Sequence, residues 1–242
     1  LLFVTLDFAM LTMRFIVCVL VLAANAARGV GAEPNCAPRW LPPFGPLTEV
    51  VGSLHGATMW DPDGPGPAGE QVVLCGQFYV ASSPEITNVA RCVGTQWQPI
   101  GESFDGAVYV WAVHDGRLFA GGAFTTMGGK PMKLIAQWSG AAWEPLGTGI
   151  TTNSAFVTTL TSFGGSLIVG GEFSQAGAVA NTNGIARWDG ASWSSIGGVA
   201  GQVSDVIRFS NGLAVVGIFA GAGGVPARNV AYWDGVKWTA FG

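Results

Sequence analysis

Acidic side chains crowd beside glycine at Asp61-Pro62-Asp63-Gly64, with Glu70 shortly beyond. Carboxylates at alternating positions could ligate Ca²⁺ through hard oxygen atoms. The stretch is otherwise mostly proline and glycine, and it lacks the twelfth-position glutamate of a calcium loop. An exposed turn is therefore the stronger reading, and a calcium site at Asp61, Asp63 and Glu70 the weaker. The two histidines, His55 and His114, stand in no metal-ligand spacing. The chain has no Gly-x-Ser-x-Gly elbow, phosphate loop or paired-cysteine metal motif. Nothing here nominates a catalytic residue or a cofactor.

Three cysteines remain once the apolar start is set aside: Cys36, Cys75 and Cys92. Three readings stand: a Cys75–Cys92 disulfide between neighbouring strands, a Cys36–Cys92 disulfide, or simply buried thiols. Asp205 is an acid in an otherwise apolar first-strand slot, where alignment matches it with Val110 and Thr158. A local hydrogen bond accounts for it better than a channel lined with Ser204 and Tyr109.

The elements that position these residues are announced by repetition. Gly-x-Phe occurs four times, ending at Phe78, Phe124, Phe173 and Phe219, at spacings of 46, 49 and 46. Trp-x-x-(Ile/Leu/Phe)-Gly keeps step with it, starting at Trp97, Trp143, Trp193 and Trp238. A period in the forties with strand-like segments marks a β-propeller or a related β-array. Within repeat two, residues 107–113 form an apolar run of β-formers, and Asp115-Gly116 is a hairpin signal. Residues 118–124, 133–138 and 142–146 complete four strands. The other first hairpins turn at Gly164-Gly165 and Asn211-Gly212. A third-strand tryptophan recurs at Trp138, Trp188 and Trp233, five residues before the fourth-strand one, and in repeat one the slot holds Cys92. That spacing across a tight turn sets two rings on paired strands. Packing explains recurring rings better than a sugar-stacking platform.

A unit of this length, with four strands, Gly-Gly closing the second and paired aromatics across the last two, resembles a kelch-type β-propeller blade. Residues 170–173 (GGEF), 176–197 (AGAVANTNGIARWDGASWSSIG) and 60–78 resemble repeats of secreted propeller-like proteins in planctomycete-like bacteria. The resemblance spans about residues 40–242, and it implies a blade rather than an activity. Cys75-Gly76 and Val216-Gly217, where the first glycine is missing, depart from it. A copper oxidase on such a propeller needs His and Tyr ligands at one centre, and Tyr79, Tyr109 and Tyr232 with two scattered histidines do not supply them.

Only 11% of the 242 residues are charged, while glycine numbers 37 and tryptophan 10, which suits tightly turned sheets covered on both faces. The net charge of −4 disfavours nucleic acid. Met13-Arg14, the apolar run 15–24 and the small residues 25–32 read as a secretory signal, too short to span a bilayer. Residues 1–12 lack an initial Met and read as upstream translation or an incomplete gene model.

The expected organisation is 1–32 upstream residues and signal, 33–51 a Pro-rich lead-in with an orphan strand at 40–45, and 52–242 an all-β array. Its four-stranded antiparallel blades fall at 52–105, 106–152, 153–200 and 201–242. It is either a closed four-blade ring or part of a larger propeller. The expected function is a secreted, periplasmic or cell-surface scaffold that binds a protein or glycan through the loops between second and third strands, at 79–87, 125–130, 174–183 and 220–228. Only the export signal touches a membrane. The alternatives are the propeller part of a secreted hydrolase or oxidase whose site lies elsewhere, and a structural envelope component.

Overall fold

Runs of Val, Leu, Ile and aromatic residues broken by glycine turns favour extended chain, because branched and ring side chains pack well on a pleated surface. A computed structural model describes residues 49–64, 66–151 and 156–241 of the chain. They belong to one compact unit, Trp40–Gly242. The signal, the orphan strand, Cys36 and the terminal Gly242 lie outside the described residues. The protein is all-β.

The first sheet joins β1 (Val50–Trp60), β2 (Gln71–Val80), β3 (Ser83–Val93) and β4 (Gln96–Gln98) in that order. The second takes β5 (Val108–His114) and β6 (Arg117–Gly122), passes through a small hairpin of β7 (Thr126–Met127) and β8 (Lys130–Pro131), and ends with β9 (Ile135–Trp138) and β10 (Trp143–Pro145). Next, β11 (Ile150–Thr151) precedes the third sheet of β12 (Phe156–Phe163), β13 (Ser166–Glu172), β15 (Ile185–Trp188) and β16 (Trp193–Ser194), while β14 (Gln175–Ala176) pairs with β11. The fourth holds β17 (Val199–Phe209), β18 (Gly212–Ala222), β20 (Val230–Trp233) and β21 (Trp238–Ala240), with β19 (Val225–Pro226) folded onto β18. Every pairing is antiparallel, as hairpin-linked neighbours allow.

Turn chemistry sets the hairpins. Asp115 and Gly116 have φ of 48° and 72°, the doubly positive pair a type I′ turn demands. In the fourth sheet the turn falls one residue earlier than Asn211-Gly212. Phe209 pairs with Gly212 and Ser210 takes the positive φ. The third strands of the last three sheets are each entered through a left-handed residue, Leu134, Gly184 and Asn229, whereas in the first sheet Asn88 takes that conformation within β3.

The sheets follow one another in series. The first strands lie side by side, β1 against β5, β5 against β12 and β12 against β17, whereas no comparable packing joins β17 to β1. Between successive sheets lie apolar cores holding Phe124 and Trp143, then Phe173, Trp188 and Trp193, then Phe219, Trp233 and Trp238. Phe78 and Trp97 belong to a further cluster on the first sheet. The paired tryptophans sit directly opposite one another, with ring centroids 5.5 Å apart for Trp138–Trp143, 5.2 Å for Trp188–Trp193 and 6.5 Å for Trp233–Trp238. Cys92 faces Trp97 in the same register.

The disulfide reading for Cys75 and Cys92 is corrected. Both are free and buried. Cys92 lies opposite Val72, three residues from Cys75, so the two thiols enter cores on opposite faces of the sheet.

Candidate functional site

Each first strand carries one residue too many for its partner. The register slips between Leu54 and Gly56, Val108 and Val110, Val157 and Thr159, and Val203 and Asp205. The bulged residues are His55, Tyr109, Thr158 and Ser204. A bulge twists the strand and re-aims a side chain, and bulges concentrate beside functional sites.

The Gly-x-Phe glycine makes the bulge fit. A Cβ on Gly76, Gly122, Gly171 or Gly217 would lie 2.1–2.2 Å from a first-strand carbonyl oxygen. Only a residue without a side chain admits that approach.

Three rings from successive first strands form a row. His55 meets Tyr109 edge-on at 5.1 Å, and Tyr109 meets Phe156 at 6.2 Å. His55 is exposed, while Tyr109 and Phe156 are half-buried. Partial desolvation holds the His55 imidazole below its ordinary pKa, favouring the neutral ring. Thr158 Oγ1 donates to the Val203 carbonyl at 2.7 Å, fixing the third sheet to the fourth.

Beside the bulges, at the ends of β6 and β13, the chain leaves for the connections between second and third strands. In the first sheet this connection is not the loop expected at 79–87. The strands run on to Val80 and restart at Ser83. In the second, Asp105 ties the connection down: its carboxylate accepts from Thr125 N (2.7 Å) and Oγ1 (2.6 Å) and from Thr126 N (2.9 Å) and Oγ1 (3.1 Å). Burial raises the pKa of this carboxyl, but the hydrogen bonds outweigh it, and the net shift is downward. Between the third and fourth sheets lies a cavity of 420 Å³ lined by Asn183, Gly198, Gly223, Val225 and Pro226 among others. Several of these belong to the connections at 174–183 and 220–228.

The sequence-nominated chemistry disperses. Asp61 Oδ1 accepts from Asp63 N at 3.3 Å and Asp63 Oδ2 from Ala68 N at 3.1 Å, so these carboxylates brace their own turn. Among the described residues, no group of three His, Cys, Asp or Glu is placed to hold a metal ion. His114 is buried at the end of β5, with Nδ1 3.0 Å from Ser162 Oγ of the neighbouring sheet. Asp205 Oδ1 accepts from Thr159 Oγ1 at 2.9 Å and from Val206 N at 2.8 Å, the local hydrogen bonding anticipated for it. Its match is corrected by one residue. Asp205 corresponds to Val110 and Thr159, each resuming the ladder after its bulge, while Thr158 corresponds to Ser204.

Phe156 and Asp105 went unnoticed in the sequence. Phe156 precedes the Thr158 bulge by two residues, and no single-chain signal distinguishes it from a core phenylalanine. No helix among the described residues is long and apolar enough to cross a membrane. No protein-family model matches the chain, and neither does any curated protein.

Proposed function

We propose that the chain is a non-catalytic, β-propeller-like scaffold of kelch type, its four sheets acting as blades, that binds a protein or glycan partner. The binding surface is the rim between second and third strands together with the ring row His55–Tyr109–Phe156. One observation carries this reading: all four first strands bulge at the same station, and three of them contribute to one partly exposed row of rings. Rings with a free edge or face bury much apolar area at small entropic cost, so they serve as anchors for sugars and peptides alike. The cavity beside Asn183 and Pro226 adds a concave element on the same rim. Secretion or a periplasmic or cell-surface location belongs to this proposal and rests on the pattern at residues 13–32.

The test is a screen of the full chain against arrayed glycans and envelope proteins, repeated with Tyr109→Ala. A ligand lost in the variant supports the rim as the site. Absence of any ligand above background for the unaltered chain counts against the reading.

A further inference from the structure

One face of the first sheet is buried without a described neighbour. Val72, Leu74, Phe78, Val80 and Ile86 are 0–6% exposed, and with Cys92 and Trp97 they form a cluster whose members all belong to that sheet. The second sheet packs on the opposite face, where Val73 and Cys75 join Trp111 and Trp143. A single sheet does not bury its own outer face: on the far face of the last sheet, Ile207 and Phe209 are each 50% exposed. Nor does the last sheet supply the cover, for nothing comparable to the packing of neighbouring sheets joins β17 to β1.

The chain that remains is narrowly defined. Trp40–Gly242 forms one unit, and within it the longest stretch outside the described residues is 40–48. That stretch leads into β1 at Val50, opposite Val80, and the Glu49 carbonyl accepts from Ala81 N at 2.7 Å. It therefore arrives at one end of the buried face. Nine residues of extended chain reach about 30 Å. The eight steps from Val80 to Val72 need about 26 Å.

The residue types fit an apolar cover. Trp40, Leu41 and Phe44 are apolar, while Pro42 and Pro43 favour extended chain and carry no N–H, so two fewer donors need partners there. Trp40 also keeps the phase of the repeat. It precedes Trp97 by 57 residues, but the first hairpin turns through ten residues, 61–70, where the others turn through two. Without the eight extra ones the interval is 49, within the 45–50 that separates the other fourth-strand tryptophans. Trp40 and Gly45 stand five apart where the other copies have four, so the pattern is a fourth strand in phase but not in register.

We infer that residues 40–44 lie along the outer face of the first sheet and cap it, covering Leu74, Phe78 and Trp97 as a neighbouring sheet covers the equivalent residues elsewhere. Atypical capping units of this kind keep the apolar faces of repeat arrays from solvent.

Cys92 reports on this cover, and Cys75, on the opposite face, is its internal control. In the full chain carrying Cys18→Ser and Cys36→Ser, a disulfide-exchange reagent under native conditions should label Cys92 at least about tenfold faster once Trp40→Ser and Phe44→Ser are introduced, with Cys75 unchanged. Phe44→Ala alone is the second variant should the pair not fold by circular dichroism. Leu213→Ala, in the core between the last two sheets, weakens the fold away from this face and should not favour Cys92 over Cys75. Cys92 protection indifferent to the variants at 40 and 44, release of Cys92 and Cys75 together, selective release of Cys92 by Leu213→Ala, or a Cys92 already reactive in the parent chain would overturn the inference.

Discussion

The indole N–H of Trp193 donates to the carbonyl oxygen of Leu146, 2.9 Å away and 47 residues earlier, across the boundary between the third sheet and the second. Trp143 donates likewise to Ile100 at 2.6 Å, and Trp238 to Ile196. Donor and acceptor come from the same recurring pattern: each tryptophan that begins one copy bonds the residue before the glycine that ends the preceding copy. The motif is thus the joint between sheets. Trp97 differs, for its buried indole nitrogen has no partner among the described residues.

Replacing Trp193 and Trp97 by phenylalanine separates that joint from ring packing. Both substitutions remove similar volume from buried sites, but only Trp193→Phe leaves a carbonyl unpaired. Urea unfolding should show Trp193→Phe costing about 1–3 kcal/mol more than Trp97→Phe. Equal losses would mean that the hydrogen bond contributes nothing.

The bulge requires its glycine. Gly171→Ala places a methyl group 2.2 Å from the Phe156 carbonyl oxygen, and no side-chain movement relieves a clash with backbone. A loss of about 3 kcal/mol is expected. Gly69→Ala, with nothing within 4 Å, should be neutral or stabilise by a few tenths of a kcal/mol, through a stiffer unfolded chain.

Asp105 makes one contribution to stability depend on acidity. Its folded pKa lies below the unfolded value of about 3.9, so the contribution is complete above that pH and is lost as pH falls through the depressed value. Melting temperatures of the unaltered chain and Asp105→Asn should differ at pH 6. The two curves should converge as the solution is acidified below about pH 4. Parallel curves down to pH 2 would contradict the hydrogen-bonded clamp.

Cys75 and Cys92 should be silent in the folded protein. Burial pushes the Cys75 thiol pKa far up, and no thiolate is then available for exchange. In a chain carrying Cys18→Ser and Cys36→Ser, a disulfide-exchange reagent should label neither residue until denaturant is added, and then both. Labelling of neither residue even after denaturation would show that they are bridged after all.

Much of the architecture is written in local and periodic signals. The two repeating motifs mark out four units, Asp115-Gly116 dictates a hairpin through its own torsional preference, and the five-residue tryptophan spacing sets two rings on opposed positions of paired strands across a turn. What the chain alone did not decide is register between strands, since side chains alternate across a sheet and a one-residue slip sends each to the other face. The bulges at His55, Tyr109, Thr158 and Ser204 are such slips. They moved Asp205 one place in the alignment and gathered His55, Tyr109 and Phe156 into a row. The same dependence on pairing sends Cys75 and Cys92 to opposite faces although they lie on adjacent strands.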